Sequence, residues 1–277
     1  MKRNQHFILT LGRSGSNTLV DLFNQNPELL NFGEVLGDWM PIRKTQRKVG
    51  LFKNSDTDYL DAILGNSLIL KAANITRNAS KLKSGHFSEM KRLGKVRSVG
   101  VKEFSLNMMR LGLADFLGDR KDIKVIGLVR RNAIDRMLSA TRLKHTGIVS
   151  LTEGSSSRDL SSKSGPVEGL SMDPKEVLAK LEVIDAENKT LESMLSALGS
   201  ERVLRIEYED FYSTPQRTVE IACLAQEFLG VAPRIPNIRM RKITEGDPLA
   251  VLENSDEVSA AISNSRFADM LNANSQI

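Results

Sequence analysis

The sequence is poor in the residues that form disulfides, metal sites and base-stacking surfaces. Its 277 residues include one cysteine, three histidines, one tryptophan and three tyrosines. Because Cys223 is the only cysteine, no disulfide can form within the chain, and a reducing compartment is expected. No group of His, Cys and Asp has the spacing of metal ligands, which predicts that the protein needs no metal.

Long apolar runs are also missing. None approaches the about 20 residues that a membrane-spanning helix needs, so we expect no stable membrane insertion. The first predicted strand begins near Gln5, which leaves no room for a cleaved signal peptide. The protein is therefore expected in the cytoplasm.

The charge balance is basic, with a net charge of +5 and a pI near 9.3. The basic residues are dispersed, with modest concentrations at 43–53, 81–97 and 234–242. Few aromatic side chains accompany them, so an anionic cofactor accounts for the excess as well as a nucleic acid does. We expect no nucleic-acid partner.

A glycine- and serine-rich loop follows the first apolar run. Residues 7–11 predict a buried strand, and a helical pattern begins near Asn17. Between them, glycines allow close approach of the backbone to an anion, and the helix directs its N–H groups at the loop. The loop has no lysine, so it differs from the nucleotide-triphosphatase pattern. Taken alone, it can equally be a simple turn.

A second strand predicts another phosphate contact. Residues 124–129 form an apolar run that ends at Arg130 and Arg131, and Ser139 follows about two turns into the next predicted helix. Ligands of open α/β sheets bind beyond the carboxyl ends of the strands, so two neighbouring loops can hold one ligand. An arginine fork and a hydroxyl suit a second phosphate.

Together these motifs resemble the sulfotransferases that use 3′-phosphoadenosine 5′-phosphosulfate (PAPS). Residues 12–19 are similar to the family's first loop, and residues 131–139 have the family's spacing of arginine and serine. Residues 202–211 with 228–230, and 252–271, extend the resemblance over most of the chain, apart from about 40–95 and 150–175. It implies one three-layer α/β/α domain over residues 1–277, with a mostly parallel central sheet and a P-loop NTPase-like sulfotransferase fold.

The resemblance also implies roles for individual residues. Arg131 and Ser139 would hold the 3′-phosphate of PAPS, together with one of Arg239, Arg241 and Lys242 in a late basic loop. The residues expected to hold the 5′-phosphosulfate are Gly12, Arg13, Ser14, Gly15, Ser16, Asn17 and Thr18.

Catalytic residues are predicted partly from this family and partly from side-chain chemistry. Arg13 would stabilise the transferred group, since a permanent cation suits developing negative charge. Glu34 stands where bacterial members carry a carboxylate after a glycine, which implies a general base. Lys102, on a predicted strand, can face the crevice and bind substrate or sulfate, or be only an edge residue. His145 can border the acceptor pocket, whereas His6 is expected to be structural and His86 is unassigned.

The remaining organisation follows from periodicity. Residues 97–104 predict a strand, residues 111–117 a helix, and residues 150–171 a mobile loop. A long helix runs from Asp173 and Pro174 to Gly199. Its leucine stripe is interpreted as core, although it could also serve as an oligomer interface through residues 174–198. Residues 40–95 have no assigned structure and, with the 150–171 loop, are expected to line the acceptor pocket.

The sequence thus predicts sulfuryl transfer from PAPS to a hydroxyl of a small molecule or glycan, with carbohydrate preferred by analogy. Two alternatives stay open. One is a nucleotide-dependent kinase on the same architecture, which the missing lysine disfavours. The other is a non-catalytic, anion-binding interaction protein.

Overall fold

A parallel sheet lies at the centre of the chain, which we analysed as a computed structural model that describes residues 3–38, 40–50, 55–83, 85, 87–146, 151–152, 170–241 and 248–272. The strands are β1 (Asn4–Thr10), β2 (Leu29–Asn31), β3 (Ser98–Phe104), β4 (Ile123–Val129), β5 (Leu151–Thr152), β6 (Val203–Glu207) and β7 (Met240–Arg241). Five of them form the sheet in the order β2-β3-β1-β4-β6, and every pair in it is parallel. The short strands β5 and β7 pair antiparallel with each other.

Helices connect the strands and follow the last one. They are α1 (Ser16–Gln25), α2 (Pro41–Val49), α3 (Asp56–Gly65), α4 (Ser67–Lys83), α5 (Ser105–Arg110), α6 (Phe116–Asp119), α7 (Ala133–Thr146), α8 (Pro174–Ser196), α9 (Tyr208–Phe211), α10 (Pro215–Phe228), α11 (Ser255–Ser263) and α12 (Ala268–Asn272). Single 3-10 turns occur at Phe87–Glu89, Ser200–Arg202 and Pro248–Val251.

The sheet buries apolar side chains on both faces, because successive residues of a strand point to opposite sides. Phe7 and Leu9 pack with Val101 beneath α3, α5, α6 and α8. Ile8 and Ile126 pack on the opposite face against α1, α9 and α10. These two helical layers around a parallel sheet confirm the predicted α/β/α fold.

The C-terminal helices add a third apolar cluster at one side of the sheet. Ile134 of α7 and Leu181 of α8 pack there with Val258 of α11 and with Phe267. The leucine stripe of α8 is largely buried, with Val177 and Leu181 fully enclosed. The core interpretation of this stripe is therefore confirmed.

One predicted helix is wrong. Residues 111–117 do not form a continuous helix: α5 starts earlier and ends at Arg110, and α6 begins only at Phe116. Gly112 has a positive φ of 69°, a conformation that breaks a right-handed helix, and the chain turns there.

Two regions without family motifs have separate outcomes. The unassigned residues 40–95 contain α2, α3 and α4. Of the predicted loop at 150–171, the structure describes only the strand β5 and residues 170–171, and the rest of this prediction lies outside the described residues. Along the described part of the chain, no helix has the length and apolar character needed to cross a membrane.

Candidate active site

The loop after β1 turns sharply and leads directly into α1. Gly15 has a φ of 73° and precedes the first helical residue, and Arg13 also has a positive φ of 65°. The ring of Tyr212 lies where a Cβ atom at position 15 would stand, so glycine is required there. Among the described residues, no side chain caps α1, and its first turn has no acidic residue. The helix terminus therefore suits an anion.

The hydroxyl groups of Thr10, Ser14 and Thr18, at and around this loop, are engaged within the protein. The Thr10 hydroxyl donates to the Leu128 carbonyl oxygen (2.7 Å), so the Ser14 hydroxyl, 2.6 Å away, donates to Thr10. The Tyr212 hydroxyl donates toward Thr18 Oγ1 at 2.5 Å. These bonds tie the loop to β4 and to the segment after α9. Backbone N–H groups and Arg13 are thus the better candidates for binding a ligand.

Arg13 joins the two loops that the sequence predicts to share a ligand. Its Nε donates to Ser139 Oγ at 3.0 Å. Burial, and then the positive charge of Arg130, lower the pKa of Arg13. An anion near Arg13 would relieve both effects, because it favours the charged guanidinium. The structure therefore brings together two of the predicted cofactor residues, Arg13 and Ser139.

Arg130 supports the loop between β1 and α1, a role that sequence reasoning did not assign. It is 7% exposed, and its Nη1 donates to the Arg13 carbonyl oxygen at 2.9 Å. Its guanidinium lies 3.3 Å from Asp135 and stacks 4.1 Å from the Tyr208 ring centre. Such a neutralised, stacked arginine acts as a rigid support.

Arg136 supports the same loop. Arg136 forms an ion pair with Glu187. It is buried, and its Nε donates to the Gly12 carbonyl oxygen at 3.0 Å. Arg136 of α7 and Arg130 of the loop after β4 thus bind the successive carbonyl oxygens of Gly12 and Arg13. The place of Arg130 directly after a buried strand was the available sequence signal.

Arg131 and Ser139 have different hydrogen-bond partners. Its side chain is 66% exposed and its Nη2 is 2.5 Å from Glu207 at the end of β6. Ser139 instead accepts the hydrogen bond from Arg13. A phosphate bound by Arg131 would therefore exchange with the Glu207 carboxylate, which is itself half-exposed.

Lys102, Glu34 and Asn17 form one polar cluster, although the sequence predicted them separately. Lys102 is 1% exposed, and its Nζ donates to Asn17 Oδ1 at 3.2 Å. The same ammonium group is paired with the Glu34 carboxylate, whose side chain is 21% exposed. A solvent-accessible carboxylate beside a buried cation can accept a proton and stabilise negative charge within one crevice.

Glu103 positions the segment that carries Glu34, and sequence reasoning missed it. Glu103 is fully buried, and its Oε1 accepts the N–H groups of Val35 at 2.6 Å and Leu36 at 2.7 Å. Burial raises the pKa of Glu103, while these two bonds act in the opposite direction. A carboxylate next to Lys102 within a buried strand was the only sequence signal.

A cleft of about 410 Å³ opens beside this cluster. Its lining includes Asn17 and Gly33 and, from α4, Thr76, Ser80 and Lys81. The acceptor pocket was expected to involve residues 40–95, and this cleft is lined by that region.

The predicted basic loop lies partly at the same cleft. Arg239 pairs with Glu89 and lies 4.0 Å from Asp21, so it faces the cleft rather than Ser139. Met240 and Arg241 form β7, and Lys242 lies outside the described residues. The contact predicted for one of these basic residues with the 3′-phosphate stays a prediction.

Neither of the two described histidines, His6 and His145, lines this cleft. His145 is exposed near the end of α7, and His86 lies outside the described residues. His6 is completely buried, with Nδ1 2.8 Å from Ser98 Oγ and Nε2 3.1 Å from Asn31 Nδ2. Burial lowers the pKa of His6 to about 3, so it is neutral and structural, as predicted. Within the described ranges, no group of three potential metal ligands occurs.

Comparison with known proteins gives structural neighbours only. No family model and no curated protein matches the sequence. A sulfotransferase from Alicyclobacillus acidocaldarius is similar over 99% of this chain and 95% of its own (TM-score 0.48, 17% identity). The sulfotransferase domain of the Synechococcus PCC 7002 olefin synthase is similar over 100% and 89% (TM-score 0.44, 17% identity). That of the curacin biosynthetic pathway is similar over 84% and 76% (TM-score 0.42, 18% identity). Each is a sulfotransferase or a sulfotransferase domain, the family that the sequence motifs resemble.

Proposed function

We propose that this chain transfers a sulfuryl group from PAPS to a hydroxyl group of an acceptor. One observation carries the proposal. Arg13, in the loop before α1, donates a hydrogen bond to Ser139 of α7. Asn17, in the first turn of α1, accepts a hydrogen bond from Lys102, which is paired with Glu34. Anion binding, charge stabilisation and proton acceptance are thus combined at one end of the sheet.

The residues present suit the donor. The positive end of α1 and the desolvated Arg13 favour a phosphosulfate, since both stabilise negative charge placed next to them. Ser139 and Arg131 are the candidates for the 3′-phosphate. PAPS, when bound, supplies an activated sulfuryl group with a phosphate leaving group.

The chain's own residues would then act on the acceptor and on the developing charge. Glu34 would accept the proton of the acceptor hydroxyl. The oxygen of that hydroxyl would form the new bond to sulfur while the bond between sulfur and the phosphate oxygen breaks. Lys102 and Arg13 stabilise negative charge on the transferred group and on the leaving oxygen. Arg13 keeps its proton throughout, since a guanidinium is not a practical acid.

A carbohydrate is the proposed acceptor class. The cleft beside Glu34 is lined by exposed amide and hydroxyl side chains such as Asn17, Thr76 and Ser80. Such groups can both donate and accept hydrogen bonds, as a polyhydroxyl ligand does. We also propose that the protein works in a reducing compartment such as the cytoplasm, because it has a single cysteine.

Incubation with radiolabelled PAPS and an extract of the native host tests the transfer itself. Label should move to a glycan fraction, and this transfer should be lost in Glu34→Gln. Thermal-shift measurements compare the two classes of nucleotide. Adenosine 3′,5′-bisphosphate should raise the melting temperature of the chain more than ATP with Mg²⁺ does. Preference for ATP would favour a kinase. Bisphosphate binding with no transfer to any acceptor would favour a non-catalytic binding protein.

A further inference from the structure

Helix α4 carries an exposed apolar line along its outer face. Leu68, Ile75 and Leu82 are 73%, 69% and 52% exposed, and Ala72 and Ala79 between them are exposed too. Their spacing alternates between four and three residues, which is the a and d pattern of a helix that packs lengthwise on another helix. Isolated exposed leucines need no explanation, but a line with this regular spacing does.

The opposite face of α4 is already occupied. Leu70, Ala73 and Asn74 are buried against the body of the protein. Arg77 Nη1 donates to the Glu89 carbonyl oxygen at 2.8 Å, and Lys81 pairs with the Glu89 carboxylate at 2.5 Å. The outer line is therefore not part of the core that the described residues form. It is a second, separate apolar surface.

The order of residues along the line identifies a partner. Ile75 lies at the centre of the line, Leu68 and Leu82 each lie seven residues from it, and one alanine stands between Ile75 and each leucine. A twofold dimer requires a patch that complements itself, so that each residue meets its counterpart across the axis. We infer that α4 packs antiparallel against the α4 of a second copy of this chain. Ile75 then lies at the axis, and Leu68 faces Leu82 of the second copy.

Side-chain size and charge fit this arrangement. Alanine at positions 72 and 79 lets two helix backbones approach closely. Antiparallel pairing about Ile75 sets Lys71 opposite Ala79 of the second copy and Asn78 opposite Ala72, so no like charges meet there. The line is also narrow, two positions per heptad. A helix that lies on a membrane surface has a broader apolar face.

The size of the interface sets its strength. From the exposed fractions above, two copies would bury on the order of 1,000 Å² in total, at the low end for specific interfaces. The dimer is therefore weak and depends on concentration. It is independent of the proposed transfer reaction, although α4 also forms the wall of the acceptor cleft.

Sedimentation velocity of the full chain over a range of concentrations tests this inference. The wild type should shift from monomer to dimer. Ile75→Glu should raise the dimer dissociation constant roughly 100-fold, because two carboxylates then meet at the axis. Ile235→Glu is the matched control, since Ile235 is 84% exposed and lies far from α4 in sequence. A wild type that is monomeric throughout, or equal effects of the two variants, would overturn the inference.

Cross-linking checks the geometry even if Ile75→Glu lowers solubility. In a Cys223→Ser background, Ile75→Cys should form a disulfide-linked dimer on mild oxidation, because both copies of residue 75 lie at the axis. Ile235→Cys should not. Failure of Ile75→Cys to cross-link while the wild type dimerises would contradict antiparallel pairing at this line. Flotation with phosphatidylcholine and phosphatidylserine vesicles tests whether the apolar line binds a membrane surface instead. If the protein is monomeric and its vesicle binding is lost in Ile75→Glu, the line binds lipid and the dimer is overturned.

Discussion

Two polar clusters lie on the same face of the central sheet, one neutral and closed, the other charged and open to solvent. The closed cluster joins His6 of β1, Ser98 of β3 and Asn31 of β2. All three side chains are at most 1% exposed. Because burial keeps His6 uncharged, every bond in this cluster is between neutral groups.

The open cluster lies on the same strand, four residues further along β3. Ser98 and Lys102 share one face and are about 13 Å apart. Lys102 is as buried as Ser98, but it is charged and paired with the partly exposed Glu34. The comparison indicates that the amino half of the sheet uses polar groups for stability, and that the carboxyl end keeps a charge pair within reach of a ligand. Substitutions in the closed cluster should therefore lower stability and leave activity unchanged. Substitutions in the open cluster should lower activity and have little effect on stability.

The largest expected effect is the loss of turnover in Glu34→Gln. The amide cannot accept a proton, so kcat should fall about 10²- to 10⁴-fold, with little change in stability. Turnover of PAPS and urea unfolding measure the two properties. Glu28→Gln is a matched control, because Glu28 is 23% exposed and paired with Arg97 at the other end of β2. A Glu34→Gln variant that keeps its activity would move the base elsewhere.

The reverse result is expected for His6→Ala. This change removes a buried ring and leaves the Ser98 hydroxyl without its partner, so the free energy of unfolding should fall by about 2–4 kcal/mol. The activity of the folded fraction should not change. His145→Ala, at an exposed position, should alter stability by less than about 0.5 kcal/mol. An inactive but stable His6→Ala variant would show that the closed cluster takes part in the reaction.

The pH dependence of stability separates the clusters further. The folded-state pKa of His6 is about 3, below its ordinary value of 6.5, so the unfolded chain binds the extra proton between these values. Stability from His6 is complete above pH 6.5 and is lost as the pH falls toward 3, by about 1.4 kcal/mol per unit. Urea unfolding at pH 7.5, 6.0 and 5.0 (about 1 to 1.5 units apart) should show this slope in the wild type. It should be weaker in His6→Asn, and equal slopes would contradict a neutral His6.

The smallest effect is expected at Glu103, which is buried like His6 but acts on the open cluster. Glu103→Ala frees the segment after Glu34, so kcat should fall about tenfold while the KM for PAPS stays unchanged. Glu103→Gln keeps an acceptor oxygen for the Val35 and Leu36 N–H groups and should restore most of the activity. Equal losses in both variants would indicate a role other than positioning.

Much of the sheet could be predicted from the sequence, because its strands are apolar runs that are buried on both faces. Residues 124–129 and the stripe of α8 are examples, since burial leaves a clear periodicity. Helices α2 and α4 could not be predicted. Residues 41–49 are mostly polar, and α4 has apolar residues on two faces, which obscures a single amphipathic period.

The site was only partly predictable for a different reason. The loop after the first predicted strand indicated Arg13, the place of Lys102 on a predicted strand indicated that residue, and the family resemblance indicated Glu34. Their partners depend on tertiary contacts: Glu103 binds backbone N–H groups of a distant segment, and Arg130 binds the carbonyl of Arg13. Such bonds to the main chain leave no pattern in the sequence of either partner.

Isothermal titration calorimetry with adenosine 3′,5′-bisphosphate tests the central claim most directly, because it needs no knowledge of the acceptor. The wild type should bind the bisphosphate, and Arg131→Ala should weaken the affinity roughly 10- to 100-fold by removing a charge-assisted contact. Arg110→Ala, which removes an exposed arginine of α5, should leave it unchanged. Absence of binding by the wild type, or equal affinity of Arg131→Ala and the wild type, would contradict a two-phosphate site at the carboxyl end of this sheet.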